Sequence, residues 1–211
     1  MIASGSAGWR RTARSPGCSN DAPPLNAPGQ VAAPCPAGKT HRLFFALWPG
    51  ETLRRALAER VAALVPPGTG RAQRPDQLHL TLEFMGSVPA DRLPAVLEVA
   101  AEVRAGRFEV VLDALEYWRR PQVLCLVAHD LPPALAALVQ ALRAGLAARG
   151  FQTERRPYRA HLTLARKVGR PPDFAPTDPV RWPATGFVLV ESITERSGSV
   201  YRPLAAWPLQ A

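Results

Sequence analysis

The chain has 211 residues, of which 47% are hydrophobic, so it can bury one sizeable core but is too short for several independent domains. No uninterrupted apolar stretch reaches the roughly 18 residues that a membrane-spanning helix needs, which excludes such a helix. The formal net charge of +9 favours anionic partners such as nucleic acid or phosphate esters, for an enzyme and for a binding protein alike.

Cysteine usage indicates a reducing compartment. The three cysteines, Cys18, Cys35 and Cys125, are odd in number and form no CxxC pair. This pattern argues against a disulfide framework and against a structural zinc site, and it is typical of a cytoplasmic protein.

Residues 1–40 differ in composition from the rest of the chain. Ala, Gly, Pro and Ser fill 23 of these 40 positions, without an apolar period of 2 or 3.6. Such a segment cannot bury enough apolar surface to offset chain entropy, so we predict a disordered extension over residues 1–40 and a folded domain over residues 41–211. Its Arg- and Ser-rich start also imitates a transit peptide, and a start codon placed too far upstream would give the same composition.

The folded domain mixes short apolar strands with amphipathic helices. Apolar residues at helical spacing predict helices over residues 51–64, from Pro89 onward, and from Pro132 towards a stop at Gly150. Short apolar or aromatic runs predict strands at residues 42–48, 78–84, 107–117, 122–128, 160–165, 186–193 and 200–207. Because these elements do not follow a strict βαβ alternation, we predict an α+β fold with largely antiparallel sheets.

A repeated motif is the most specific signal in the sequence. Residues 74–82 (RPDQLHLTL) match residues 156–164 (RPYRAHLTL) at an offset of 82, with six of nine positions identical. A period of this length that occurs only twice is not a solenoid repeat. It predicts two related halves that each present the same strand.

Each copy of the motif presents an imidazole and a hydroxyl on the same side of its strand. Strand alternation turns His79 and Thr81 to one face, with the leucines of the motif behind them. His161 and Thr163 repeat this arrangement in the second copy. If pseudo-twofold symmetry relates the halves, the two imidazoles flank a single ligand in a common cleft.

Two histidines and two hydroxyls suit phosphodiester chemistry. Near neutral pH one imidazole can accept a proton from water while the other donates a proton to the leaving oxygen. Threonine hydroxyls can bond the non-bridging oxygens as negative charge builds up. The motifs contain no HxH or HExxH spacing, so they predict no metal site. In a single HxT copy, the histidine and threonine usually form a half-buried, hydrogen-bonded pair without a catalytic role. Two copies in a chain with four histidines favour a functional role.

The paired motifs, together with residues 42–46 (RLFFA) and the ending 201–209 (YRPLAAWPL), resemble the 2H phosphoesterase superfamily. The resemblance extends over about residues 41–209 and is closest to the bacterial RNA 2′,3′-cyclic phosphodiesterase family, formerly described as 2′-5′ RNA ligases or LigT-like proteins. It implies a bilobal α+β fold in which two antiparallel sheets line a central cleft, with helices outside and a pseudo-twofold repeat. It also implies hydrolysis of a terminal 2′,3′-cyclic phosphate to a 2′-phosphomonoester without a metal or a cofactor.

The resemblance assigns roles to individual residues. It implies that His79 donates a proton to the leaving 3′ oxygen and that His161 is the base that activates water. Thr81, Thr163 and Arg166 match phosphate-binding positions, although simple strand alternation would turn Arg166 away from His161. The implied partner is an RNA that ends in a 2′,3′-cyclic phosphate, with tRNA fragments as candidates, and the implied protein is a monomer without a membrane partner.

Several neighbouring residues are open to two interpretations. Glu83 stands two positions past Thr81, where alternation predicts that it faces the cleft and repels phosphate or tunes His79. Phe44 and Tyr158 are candidates for stacking on a nucleobase, and both are also compatible with a place in the core. A basic group could guide RNA or form a solvated face; its members are Arg155, Arg156, Arg159, Arg166, Lys167 and Arg170.

Three further residues are predicted to have no part in the reaction. Arg74 and Arg156, five positions before the motif histidines, could be ion-pairing or solvated residues, and this interpretation is favoured for Arg74. His41 and His129 are predicted to be exposed, because one lies at the start of the folded domain and the other in a polar loop.

Three alternatives to an RNA cyclic phosphodiesterase stay open from the sequence. The first is another 2H activity, such as ring opening of a cyclic mononucleotide or trimming of an RNA 3′ end. The second is 2′-5′ joining of RNA ends, and the third is a non-catalytic RNA-binding module that uses the same basic cleft. Turnover by the wild-type protein separates the enzymes from the binding module.

Overall fold

The computed structural model describes residues 39–170, 178–196 and 198–211. The disordered extension predicted over residues 1–40 lies outside these residues except for its last two positions. The first strand begins at Thr40, one residue before the predicted start of the folded domain.

Within the described residues, ten strands and three α-helices make up the fold. The strands are β1 (Thr40–Leu47), β2 (Arg71–Ala72), β3 (Leu80–Pro89), β4 (Phe108–Leu112), β5 (Ala114–Trp118), β6 (Val123–Val127), β7 (His161–Arg166), β8 (Val180–Ala184), β9 (Gly186–Glu195) and β10 (Gly198–Pro208). The helices are α1 (Glu51–Leu64), α2 (Leu93–Glu102) and α3 (Pro133–Ala148). No helix among them is long and apolar enough to cross a membrane.

The sequence missed two of these strands and merged two others. β2 is only two residues long, and β8 contains Pro183, which cannot donate a ladder hydrogen bond and therefore weakens a strand prediction. The strand predicted over residues 107–117 is divided at Asp113 into β4 and β5. The Asp113 side chain accepts a hydrogen bond from the backbone N–H of His129, at 3.1 Å.

Antiparallel pairing organises the described strands into an eight-stranded sheet and a two-stranded sheet. The strands of the larger sheet run in the order β10-β9-β1-β3-β7-β6-β5, with β2 beside β7, and β4 and β8 form the smaller sheet. Within the larger sheet, the described residues of β3 and β7 pair only through Leu80 and Leu162, which divides it into halves β10-β9-β1-β3 and β7-β6-β5. The two antiparallel sheets and the three helices confirm the predicted α+β fold.

The two faces of the eight-stranded sheet have different environments. One face packs against all three helices and forms the main core, to which the strands contribute Leu43, Phe45, Leu80, Leu126 and Leu162 and the helices Leu57, Val96 and Leu138. We call the opposite side the cleft face. Its buried residues form one small cluster on each half: Phe44, Ala46, Val188 and Val190, and Val123, Cys125 and Val127.

Helix α3 shows how the local sequence builds the outer layer. Pro133 occupies its first turn, where a missing N–H leaves no intrahelical bond unmade. Gly150 follows the last turn at φ +75°, a conformation that glycine adopts without steric cost, and Phe151 N–H bonds the carbonyl of Leu146 at 3.0 Å. The buried face of the helix consists of Leu135, Leu138, Val139, Leu142 and Leu146.

Candidate active site

The two motif histidines lie on adjacent strands of the cleft face. His79 immediately precedes β3, and His161 is the first residue of β7. Leu80 pairs with Leu162 in antiparallel register. The residues on either side of this pair therefore lie opposite each other, His79 opposite Thr163 and Thr81 opposite His161. The leucine pair is fully buried towards the helices. The four predicted side chains are therefore brought together, around the local twofold axis of this strand pair.

Each imidazole is fixed in the same way by its own backbone. The Nδ1 atom of His79 lies 2.7 Å from the carbonyl oxygen of Gln77, and the Nδ1 atom of His161 lies 2.9 Å from that of Arg159. A carbonyl oxygen can only accept, so Nδ1 carries the proton in both rings. Both Nε2 atoms are left for proton transfer, and that of His79 lies 3.1 Å from Thr81 Oγ1.

A β-bulge directly after the motif threonine in each motif strand changes which side chains reach the cleft face. On β3, Thr81 pairs with Ala46 and Glu83 with Phe45, so Leu82 is the extra residue. On β7, Thr163 pairs with Cys125 and Ala165 with Leu124, so Leu164 is the extra residue. Each bulge reverses the alternation beyond the second leucine of its HLTL motif.

The bulge on β7 corrects the expectation for Arg166. Simple alternation turned this side chain away from His161, but Arg166 pairs with Val123, a residue of the cleft face. Its positive charge contributes, after desolvation by burial, to lowering the pKa of both His79 and His161. Arg166 is exposed, and its binding of phosphate stays a prediction.

The bulge on β3 shows that the expectation for Glu83 was wrong. Glu83 pairs with Phe45, is turned to the helix side and is 1% exposed. Its Oε2 accepts a hydrogen bond from Arg143 Nε of α3 at 2.7 Å, and its Oε1 accepts one from the Glu154 backbone N–H at 2.7 Å. The carboxylate therefore ties α3 to the loop that leads into the second motif.

Aromatic rings enclose His79 on several sides. Its ring centroid lies 4.9 Å from that of Phe44, 5.8 Å from that of Trp48 in a stacked arrangement, and 5.1 Å from that of Tyr201 edge-on. Phe44 is 3% exposed, so it packs behind the imidazole, and a stacking role on a nucleobase fits its position poorly. The sequence did not identify Trp48, although Phe44, Ala46 and Trp48 follow the period of 2 along one face.

A different set of residues supports His161. The Trp118 ring lies 4.6 Å from the His161 ring, and the guanidinium carbon of Arg159 lies 5.3 Å from the Trp118 centroid. Glu116 accepts hydrogen bonds from Trp118 Nε1 at 2.6 Å and from Arg159 Nη2 at 2.8 Å. Sequence reasoning missed Trp118 and Glu116, because only tertiary folding brings β5 close to β7, with β6 between the two strands.

Tyr158 is half-buried and holds a motif strand. Its hydroxyl donates a hydrogen bond to the carbonyl oxygen of Thr81 at 2.9 Å. Burial raises the pKa of this phenol, so it stays protonated and keeps donating. The ring lines the cleft, and its stacking on a nucleobase stays a prediction.

Burial lowers the pKa of both imidazoles in the ligand-free protein. Desolvation brings the pKa of His79 from 6.5 to about 4; the bond to Gln77 opposes this shift, and the charges of Arg166 and His161 add to it. Desolvation also lowers the pKa of His161, against the bond to the Arg159 carbonyl and with the charges of Arg166 and Arg159. Both rings are therefore mainly neutral at pH 7 before an anion binds.

A cleft of about 630 Å³ adjoins the two motifs, within the size range of small-molecule sites. Thr81 and His161 line its inner end, and Phe84, Trp118 and Tyr158 line its walls. Among the described residues, no group of three or more His, Cys, Asp or Glu side chains is placed to hold a metal ion.

The structure confirms two of the three residues predicted to have no part in the reaction and corrects the third. Arg74 forms the expected ion pair, with Asp76 at 2.8 Å. Arg156, which the sequence left open, pairs with Glu154 at 2.6 Å. His129 is exposed, as predicted. His41 is 6% exposed and not on the surface, because its Nδ1 donates to the buried Glu191 at 2.6 Å.

Comparison with known proteins agrees with this geometry. A family model described as LigT like Phosphoesterase matches residues 48–125 and 127–201, which include both motifs. The RNA 2′,3′-cyclic phosphodiesterase of Escherichia coli strain K12 is 33% identical over 175 residues, covering 80% of this chain and 96% of that protein. The protein of the same name from Thermus thermophilus is 31% identical over 181 residues, covering 80% of this chain and 90% of that protein.

Solved structures show the same fold. A crystal structure described as a phosphoesterase superposes with a TM-score of 0.77 at 32% identity, covering 82% of this chain and all of that chain. The structure of E. coli LigT complexed with 3′-AMP superposes with a TM-score of 0.75 at 31% identity and the same coverage. The chain, with its two HLTL strands meeting at one leucine pair, belongs to the LigT-like phosphoesterase family.

Proposed function

We propose that the protein is an RNA 2′,3′-cyclic phosphodiesterase that opens a terminal cyclic phosphate to a 2′-phosphomonoester. The observation that carries the proposal is the pair of imidazoles whose Nδ1 atoms are bound by backbone carbonyls, so that both Nε2 atoms serve one cleft face. The relatives in E. coli and T. thermophilus bear this activity in their names. The complex of E. coli LigT with 3′-AMP supports nucleotide binding by this fold.

The reaction uses the two histidines as a proton relay on opposite sides of the phosphorus. His161 Nε2 accepts a proton from water, and the water oxygen forms a bond to phosphorus. The bond from phosphorus to the 3′ oxygen breaks, and His79 Nε2 donates its proton to that oxygen. The products are a 2′-phosphate and a 3′-hydroxyl, and proton exchange with solvent restores both rings.

Hydroxyls and one guanidinium stabilise the charge that develops on phosphate. Thr81 and Thr163 are placed beside the opposite histidines, where their hydroxyls can donate to the non-bridging oxygens. Arg166 supplies a positive charge from the cleft face of β7. An anion held there raises the pKa of His79, which favours the protonated ring that the leaving oxygen requires.

The proposal is tested by incubating the purified protein with an RNA that ends in a 2′,3′-cyclic phosphate and identifying the product as a 2′- or 3′-phosphate. We expect a 2′-phosphate, and an unchanged rate in the presence of EDTA because no step uses a metal. His79→Ala and His161→Ala should each lower kcat by about 10²- to 10⁴-fold, or about 3–5 kcal/mol of barrier. The double variant should lose less than the sum, because the pair acts as one unit.

His129→Ala is the matched control, because this histidine is exposed and its ring pairs with Asp113, at 3.2 Å. It should keep wild-type turnover. Full activity in His79→Ala, or EDTA inhibition that a divalent ion reverses, would contradict the mechanism. RNA binding by a wild-type protein without turnover would identify a binding module, and faster turnover of cyclic mononucleotides than of RNA ends would identify another 2H activity.

The cellular setting forms part of the same proposal. The expected substrates are RNA fragments with cyclic phosphate ends, including tRNA fragments, acted on by a monomer in the cytoplasm. The odd number of cysteines supports a reducing compartment, and Cys125, the one that lies among the described residues, is a buried free thiol.

A further inference from the structure

The two residues whose carbonyl oxygens orient the motif histidines occupy equivalent positions of the repeat, but different contacts hold them in place. Gln77 ends a 3₁₀ turn over Pro75–Gln77, is 5% exposed, and donates from its side-chain amide to the carbonyl oxygen of Ser199 on β10. Arg159 lies directly before β7, among residues 157–160, which form no regular secondary structure. The carbonyl that serves the second histidine therefore needs another anchor.

The anchor is a carboxylate from β5. Both oxygens of Glu116 accept from Arg159 Nη2, at 2.8 Å to Oε1 and 3.0 Å to Oε2. Oε2 also accepts from the indole N–H of Trp118, at 2.6 Å. A carboxylate offers two acceptor oxygens, whereas an amide offers one, so an ionised Glu116 can serve both donors at once. It links β5 to the segment that leads into the second motif.

Strand register places this carboxylate on the cleft face. Glu116 pairs with Cys125 of β6, and Cys125 pairs with Thr163 of β7, so the three residues form one row across the strands. Residues paired across strands point to the same side of a sheet. Two strand spacings, about 10 Å, separate the backbones of Glu116 and Thr163. The carboxylate therefore influences the motif through the side chains that lie between them.

Both partners of Glu116 contact the His161 ring. The carbonyl oxygen of Arg159 accepts from Nδ1 at 2.9 Å, and the Trp118 ring centroid lies 4.6 Å from that of the imidazole. The guanidinium carbon of Arg159 also lies 5.3 Å from the Trp118 centroid, so the two partners contact each other. A displaced carboxylate would therefore loosen both contacts with His161 at once.

The same pair sets part of the charge around His161. Burial is the largest influence and lowers the pKa of this ring, which the bond to the Arg159 carbonyl opposes. The charges of Arg166 and Arg159 lower the pKa further, and the charge of Glu116 raises it. His79 also faces the ring and adds positive charge when it is protonated. Glu116 therefore offsets a cation that weakens the imidazole as a base.

We propose that Glu116 is a positioning residue for His161, which it orients through the carbonyl of Arg159 and the ring of Trp118; this rests on the proposed function, in which His161 is the base. The Arg159 side chain is 59% exposed, and ion pairs of such exposed groups contribute little to folding. We therefore expect the carboxylate to matter more for the rate than for stability.

The kinetic test measures kcat and KM on an RNA that ends in a 2′,3′-cyclic phosphate. Glu116→Ala should lower kcat roughly 10- to 100-fold, because misplacing a reacting group by about 1 Å has that effect on the rate. KM should stay unchanged, because Glu116 holds the base and not the RNA. Glu116→Gln should lose less, because its amide oxygen can still accept from Trp118 Nε1.

Glu109→Gln is the matched control, since Glu109 also pairs with an exposed arginine, Arg181, at 2.6 Å, on the smaller sheet. It should keep wild-type kcat and KM. Denaturant unfolding should give the same midpoint for Glu116→Gln, Glu109→Gln and the wild type. Unchanged kcat in Glu116→Ala, or a raised KM with unchanged kcat, would overturn the proposal; the second result would assign the carboxylate to RNA binding.

A titration of the histidine ring signals by NMR, in the ligand-free protein, tests the same role without turnover. His79→Ala and His161→Ala assign the two signals. Glu116→Gln should lower the pKa of His161, because Arg159 then acts on the ring unopposed, and should leave the pKa of His79 unchanged. Arg159→Gln should raise the pKa of His161, and the double variant should lie between the two single variants.

Opposite shifts from the two single variants are a result that a purely structural ion pair would not give. The same titration of His161 in the wild type and in Glu116→Gln would overturn the proposal even in an active enzyme. The expected shifts in a protein that shows no turnover would support the positioning of His161 and contradict only the proposed function.

Discussion

A single backbone carbonyl decides what each histidine can do. Gln77 and Arg159 stand two residues before the motif histidines, and their carbonyl oxygens accept the Nδ1 protons. This bond fixes the tautomer and the ring orientation together, so Nε2 is the atom available for the proposed proton transfer in both halves. Each motif therefore orients its own imidazole through local backbone geometry.

The lowered pKa values of this pair predict an acidic optimum for kcat/KM. In the proposed mechanism the active form has His79 protonated and His161 neutral, so the expected profile is a bell centred between the two pKa values of the free enzyme. One is about 4, and the other is also below 6.5. The optimum of kcat/KM should therefore lie below pH 6.5.

The optimum of kcat should lie at higher pH than that of kcat/KM, because the bound phosphate anion raises both pKa values. Initial rates across a pH series, at low and at saturating substrate, measure both profiles. A kcat/KM optimum above pH 7 would contradict the burial of His79 as the main influence on its pKa. A sigmoid in place of a bell would contradict paired proton transfer.

At the scale of elements, the bulge within each motif sets which side chains reach the cleft face. The bulges at Leu82 and Leu164 turn Phe84 and Arg166 to the cleft face and turn Glu83 to the helix side. Buried Glu83 then becomes a structural group that joins α3 to the loop before the second motif. A strand without the bulge would turn this carboxylate towards the proposed phosphate site.

The pairing of Glu83 with Arg143 predicts a large effect on stability. Arg143→Ala would leave a buried carboxylate without its cation, so we expect a loss of about 3 kcal/mol in the free energy of unfolding. Denaturant unfolding measures it. Adding Glu83→Gln should recover part of the loss, because the uncharged amide can still accept from the Glu154 N–H.

Arg181→Ala is the comparison variant, since its pair with Glu109, at 2.6 Å, is largely exposed. It should cost less than about 1 kcal/mol. If Arg143→Ala had the same free energy of unfolding as the wild type, the ion pair with Arg143 would not be what stabilises the buried Glu83.

At the scale of the whole molecule, a positive net charge accompanies the cleft that is proposed to bind an anionic substrate. The net charge is +9, of which +6 belongs to residues 41–211. The side chains that follow and precede the second motif include exposed Arg155 and Lys167. A longer RNA therefore meets more positive charge than a mononucleotide does.

This charge distribution predicts a length-dependent response to salt. A plot of log kcat/KM against log salt concentration should be steeper for a cyclic-ended oligomer than for a cyclic mononucleotide, by about 0.7 for each further phosphate contacted. Arg155→Gln with Lys167→Gln should reduce the slope for the oligomer. Arg55→Gln, on the outer helix α1, serves as the control and should not change it. Equal slopes for both substrates would refute guidance by these residues.

The sequence by itself determined the α+β class, most element positions and the four motif side chains. Helical and strand periods, proline at helix starts and the HxT alternation are local properties of the chain, so they can be read without knowledge of its partners. The repeated motif also predicted that the two halves are related, because two copies of one strand can meet around a twofold axis. The burial of Leu80 and Leu162 behind the histidines followed from the same alternation.

Only the tertiary structure decided which residues accompany the histidines. A bulge depends on the register with the neighbouring strand, so the positions of Arg166, Glu83 and Phe84 could not be derived from alternation. Trp118 reaches His161 across β6, and His41 is buried by Glu191, 150 residues away. These contacts are long-range, and the free energy that selects them comes from packing and ion pairing between segments that the local sequence pattern does not connect.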